Sequence, residues 1–118
     1  MNNNMRLFKV SGMLHKEQLQ FYVNEWRLLK ETERYYEIKS EDGCVKRIYR
    51  EKLNTLHEET KKYVDGVISC HVFCALQHID DMKHMIMVRL NAKIDDYMND
   101  LLLNQKALED YKLVVANG

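Results

Sequence analysis

The sequence predicts an α+β protein, with a small antiparallel sheet of about five strands over residues 5–74 followed by one long amphipathic helix over residues 76–112. Three observations predict it. Segments rich in β-branched and aromatic residues fill the first two thirds of the chain. An Asp-Gly pair, Asp42-Gly43, separates two of those segments as a hairpin turn would. After Ala75 the apolar period changes from two to steps of three and four, with no proline anywhere and no glycine between Gly66 and Gly118.

The elements follow in order. Residues 5–14 mix β-formers in partial alternation and read as a first strand, with a bulge expected at Gly12. A polar turn at residues 15–17 leads into a second strand, where Leu19, Phe21 and Val23 alternate with polar neighbours until about Leu29. Residues 34–39 and 44–50 flank Asp42-Gly43 and become neighbouring strands three and four. A second pair, Asp65-Gly66, precedes residues 67–74, the fifth strand. The polar stretch between, residues 51–62, has room for a helical turn.

The helix is read from one stripe: Leu76, Ile79, Met82 or Lys83, Ile86, Leu90, Ile94, Tyr97, Leu101, Leu108 and Tyr111. Asp80, Asp81, Lys93, Asp95, Asp96, Asn99 and Lys106 form the opposite, wet face. About 36 residues of helix span roughly 54 Å at 1.5 Å per residue, whereas a compact chain of this length has a radius of gyration of only ~13 Å. The sheet is too small to cover such a stripe, so the far half of the stripe, from about Ile94 to Tyr111, either folds back at a break near Asn99 or Asn104 or packs on another copy. Positions that approximate a heptad favour the second. Homo-oligomerisation through Ile86, Leu90, Ile94, Tyr97, Leu101 and Leu108 is therefore expected, as a dimer or higher.

At 118 residues there is space for a single domain, residues 1–118. Eighteen basic and eighteen acidic residues cancel, so bulk charge recruits neither DNA nor an anionic membrane. The polar start, residues 1–6, lacks the apolar core of a signal peptide, and no apolar run approaches the ~18 residues of a membrane span. A cytoplasmic protein is expected. Three cysteines, Cys44, Cys70 and Cys74, are an odd number without a disulfide framework, and reduced thiols are the expectation.

Chemistry-bearing residues are few. Cys70, Cys74 and His78 would line one face of a helix with metal-ligand spacing, and His71 and His84 lie close by. On a strand, however, the two thiols share a face with Val72 as small core residues. No metal or cofactor is expected. Asp80-Asp81 and Asp95-Asp96 are adjacent on a helix and diverge by about 100°, so neither forms a catalytic dyad. The one basic patch, Lys46, Arg47, Arg50 and Lys52, interleaves with Ile48 and Tyr49. It reads either as a charged edge strand or as a site where arginine holds phosphate and tyrosine stacks a ring. Strand parity puts Arg47 and Tyr49 on one face and Lys46, Ile48 and Arg50 on the other. Arg47, Tyr49, Arg50, His71, Phe73 and Arg89 are the candidate ligand-binding residues.

The hairpin of residues 28–38 and 43–53, with Tyr35-Tyr36-Glu37-Ile38 facing Val45-Lys46-Arg47-Ile48-Tyr49-Arg50, resembles small β-sheet proteins of phages and their low-GC Gram-positive hosts. In outline, a sheet followed by a long oligomerising helix is similar to the Thoeris anti-defence sponge proteins of phages. That resemblance implies a non-enzymatic, homo-oligomeric anti-defence factor that sequesters a signalling nucleotide of the cyclic ADP-ribose type, or that blocks a host protein. The alternative expectation is a small dimeric nucleic-acid-binding regulator.

Overall fold

The computed structural model describes residues 6–58 and 66–117, with side chains placed to residue 57 and from 66 to 112. The expected Met5 start of the first strand, and residues 59–65 with Asp65 of the second Asp-Gly pair, lie outside that set. An antiparallel sheet is followed by one long helix, as the apolar periods require. The strands are β1 (Arg6–His15), β2 (Gln18–Glu31), β3 (Tyr35–Lys39), β4 (Val45–Tyr49), the two-residue β5 (His57–Glu58) and β6 (Val67–Ala75). Their order across the sheet is β4-β3-β2-β1-β6-β5. Five of these strands were legible in the sequence, and β5 was not.

Turn chemistry fixes the meander. At the β3–β4 turn Gly43 adopts φ +95, and its N–H donates to Ser40 O at 3.1 Å. A three-residue loop with glycine in the left-handed position results. The Asp42 carboxylate accepts from the Ser40 hydroxyl, and the contacts from Ser40 and the Cys44 backbone hold it below the usual carboxylate range. The β1–β2 turn is tighter, with His15 paired to Gln18 and Lys16 at φ +55.

Register then sorts the two faces. Phe8, Val10, Gly12 and Leu14 alternate with Leu7, Lys9, Ser11 and Met13 along β1, and β6 alternates in step with it. On one face Val10, Ile68, Cys70, Val72 and Cys74 meet Met82, Ile86 and Leu90 of the helix α1 (Ile79–Asn117). On the other face Leu7, Trp26, Tyr36, Ile38, Ile48 and Phe73 form a second core. This second core exists because the sheet curls. Lys46 Nζ of β4 lies 5.1 Å from the ring of Phe73 on β6, although four strand spacings in a flat sheet would separate them by roughly 19 Å. The chain after β4 closes the concave side, with Asn54 N–H donating to Phe73 O at 2.8 Å and a 3₁₀ turn at Arg50–Lys52.

Gly12 corrects one expectation. It pairs regularly with Phe21 and Cys70 and forms no bulge; the register break falls in β2 between Leu28 and Lys30. Glycine is required at position 12 because the helix crosses there. A Cβ would sit 2.4 Å from Ile86 Cγ2 and 3.2 Å from Phe21 Cε1. Lys93 is a second correction. Its charge predicts the wet face, yet it is buried on the stripe beside Leu90 and Tyr97.

Helix α1 follows a 3₁₀ turn, Leu76–His78, on which Leu76 is exposed. Asp80 and Asp81 in its first turn oppose the positive end of the helix dipole. With no proline or glycine to break it, the helix runs unbroken past the sheet. The molecule measures 74 × 28 × 24 Å with a radius of gyration of 20.0 Å. Among the described residues, no helix is long and apolar enough to cross a membrane.

Candidate ligand-binding face

The six candidate site residues do not converge. Arg47 and Tyr49 lie on the outer side of edge strand β4, as parity required. Arg47 is 3.3 Å from the Glu37 carboxylate and 4.8 Å from the centre of the Tyr35 ring, and Tyr35 in turn meets Tyr49 edge to face at 6.1 Å. Arg50 is committed elsewhere. Its guanidinium donates to Thr32 O at 2.9 Å, Tyr36 Oη at 2.9 Å and Glu31 Oε1 at 2.7 Å, and it stacks over Tyr36. It clamps the β2–β3 turn, with its donors directed into the protein.

Phe73 and His71 belong to β6 and face the concave side. Both are buried, and their rings meet at 90° and 5.7 Å. Arg89 is half-buried on the helix, which packs on the opposite face of the sheet, and it is already engaged within the chain. Of the six, Arg47 and Tyr49 meet through Tyr35 on the outer side of β4, and His71 and Phe73 meet on the concave side. Cys70 and Cys74 lie with Val72 on the helix side, and burial pushes the Cys74 thiol up. His71 points the other way, and His78 sits on the 3₁₀ turn after the strand, so Cys70, Cys74 and His78 do not share the helical face that their spacing would need.

What the concave side does assemble is a row of rings. Trp26 meets Phe73 edge to face at 5.6 Å, Phe73 meets His71, and His71 stacks on His57 at 5.2 Å with 15° between the planes. Lys9 stands opposite both Asn24 and Phe73 in the register, so its side chain rises from the same face as this row. Lys46 reaches the Phe73 ring from across the curl. Over Trp26 a cavity of about 510 Å³ opens, walled by Lys9, Asn24 and Glu25 on the sheet and by Ser40, Glu41, Asp42 and Cys44 of the β3–β4 turn. A neighbouring cavity of about 420 Å³ shares Glu25, Ser40 and Glu41 and adds Arg27 and Lys39.

The charges around these cavities are mixed. Glu25 is held by Arg6 through two contacts of 2.6 and 3.0 Å, which lower its pKa, and Asp42 is satisfied within its own turn. Lys9 is the basic residue of the cavity over Trp26, beside Glu25, Glu41 and Asp42, whereas Arg27 and Lys39 line the neighbouring cavity. Sequence reasoning passed over Lys9, although a lysine between Phe8 and Val10 is a polar interruption of an apolar strand. Its partners across the sheet come from residues 24 and 73, which only the strand order reveals. Compared with known protein families, curated proteins and solved structures, the chain matches none.

Proposed function

We propose that this is a non-enzymatic, self-assembling binding protein, in which the curled sheet takes a small anionic ligand bearing a planar ring and the C-terminal helix joins copies. The observation that carries the reading is the cavity over Trp26. It has the size of small-ligand sites, about 300–1,000 Å³, and combines an aromatic floor with Lys9 on its wall. A ring settles against the indole while a phosphate or carboxylate meets the Lys9 ammonium, which exchanges its partner within the chain for the ligand. Ligands of this description include signalling nucleotides, and sequestration is the role that the outline similarity to anti-defence sponge proteins implies. Nucleic-acid regulation receives less support, because Arg47 and Arg50, on which it would depend, are paired with Glu37 and Glu31.

Trp26 is the single tryptophan and reports on its own site. Titration of its fluorescence with cyclic ADP-ribose isomers, cyclic dinucleotides and mononucleotides is expected to give saturable quenching by one of them. Lys9→Ala should weaken that ligand by about tenfold, equivalent to about 1.4 kcal/mol. No saturable change with any of them, or a tight ligand indifferent to Lys9→Ala, would refute the assignment.

A further inference from the structure

From the end of the sheet, where Ile94 and Tyr97 still pack against the core, helix α1 continues with Leu101, Leu108 and Tyr111 at heptad spacing and Asn104 at the intervening heptad position. Leu101, Leu108 and Tyr111 are more than 60% exposed. Where the helix leaves the sheet, a shallow apolar pocket of about 120 Å³ is lined by Leu14, Leu19, Met87, Leu90, Asn91 and Ile94. These two surfaces belong to one chain and lie at opposite ends of the same stripe.

We infer that the occupant of both is a second copy of this chain, docked antiparallel, so that Tyr111 and Leu108 of each copy cover the junction pocket of the other. This inference rests on the reading that the helix joins copies, and it adds the orientation and the contact. The ends of the stripe set the register. Placing Tyr111 against Ile94 of the partner puts the two-fold axis midway between them, beside Asn104. There the Asn104 amides of the two copies are offset by only about 4.5 Å along the axis, three residues at 1.5 Å each, and one can bond the other. A two-fold pairing of one surface with itself closes the assembly and buries both halves of the stripe twice.

Charge favours the same orientation. Residues 94–103 carry Asp95, Asp96 and Asp100 and no basic residue, whereas residues 104–112 carry Lys106 and Lys112 against Glu109 and Asp110. A parallel pair would place six aspartates at one level. The antiparallel pair sets each acidic stretch beside the stretch of its partner that contains the lysines. It also covers the Leu14/Leu19 pocket, which a parallel pair leaves open.

Cysteine crosslinking tests the orientation in the full chain, with Cys44→Ser removing the exposed native thiol. Leu19 and Tyr111 are both exposed, so replacing them leaves the two cores intact. Leu19→Cys combined with Tyr111→Cys should give a disulfide-linked dimer on mild oxidation. Tyr111→Cys alone should stay uncrosslinked, and spin labels at that position should lie about 26 Å apart along the axis, seventeen residues at 1.5 Å. Linkage of Tyr111→Cys to its own copy, or an associated protein without the 19–111 link, overturns the antiparallel arrangement and leaves the assembly itself standing. A monomer at all concentrations overturns both.

Discussion

The two halves of helix α1 have similar apolar content and opposite fates. In the first half Met82, Ile86 and Leu90 are sealed against β1 and β6, with Ile86 at 0% exposure. In the second half Leu101, Leu102, Leu103 and Leu108 stand 60–65% exposed. Residue type does not distinguish them; the length of the sheet does. The stripe runs on past the sheet, with Asn104 as its polar position, and the surface available within the chain ends near Tyr97. One half of the helix therefore holds the fold together, and the other contributes little to the stability of an isolated chain.

The sharpest way to break this comparison is to truncate equivalent side chains in the two halves. Ile86→Ala opens a cavity between helix and sheet and should cost about 2–5 kcal/mol in chemical denaturation. Leu101→Ala, read on dilute protein, should change stability by less than about 0.5 kcal/mol. Similar costs at both sites would mean that the far half packs within its own chain. The helix-sheet contact can also be attacked from the strand. Gly12→Ala drives a methyl group into Ile86 Cγ2 and should destabilise by roughly 1–3 kcal/mol, visible as a lowered Tm. A neutral result would show that the helix can shift away from the sheet at no cost.

The smallest expected effect lies at the sheet surface, far from either half of the helix. Arg6 holds the Glu25 carboxyl below its ordinary value, so the pair contributes in full above the unfolded carboxylate value, about 4.3. That contribution is lost as pH falls through the lower folded value. Both groups are exposed, and the expectation is a slight steepening of the acid limb that disappears in Arg6→Ala. An unchanged acid limb in that variant would show that the pair adds nothing measurable.

Much of the architecture was legible because it depends on local periods. Alternation marked β1 and β2, Asp42-Gly43 marked the β3–β4 hairpin, β-branched and aromatic content marked β6, and the change of period after Ala75 marked the helix. What stayed hidden depends on which strand neighbours which. The β1–β6 pairing brings Lys9 beside Phe73, and the curl brings Lys46 over the same ring. Neither contact has a signature in a single segment. Gly12 was misread for the same reason, since the atom that excludes a side chain there belongs to Ile86, seventy-four residues away. Arg50 looked available in the sequence because Thr32, Tyr36 and Glu31, which occupy its donors, come from the preceding hairpin. Lys93 was assigned to solvent by its charge, although its helical position places it on the buried stripe.

The central claim is that the head folds on its own contacts while the far half of the helix joins copies. Light scattering of the full chain beside the double variant Leu101→Asp/Leu108→Asp tests it most directly. The full chain should scatter at a multiple of 14.2 kDa, and the variant at 14.2 kDa with an unchanged far-ultraviolet spectrum. A full chain that remains at 14.2 kDa across micromolar concentrations, or a variant that stays associated and folded, would contradict it.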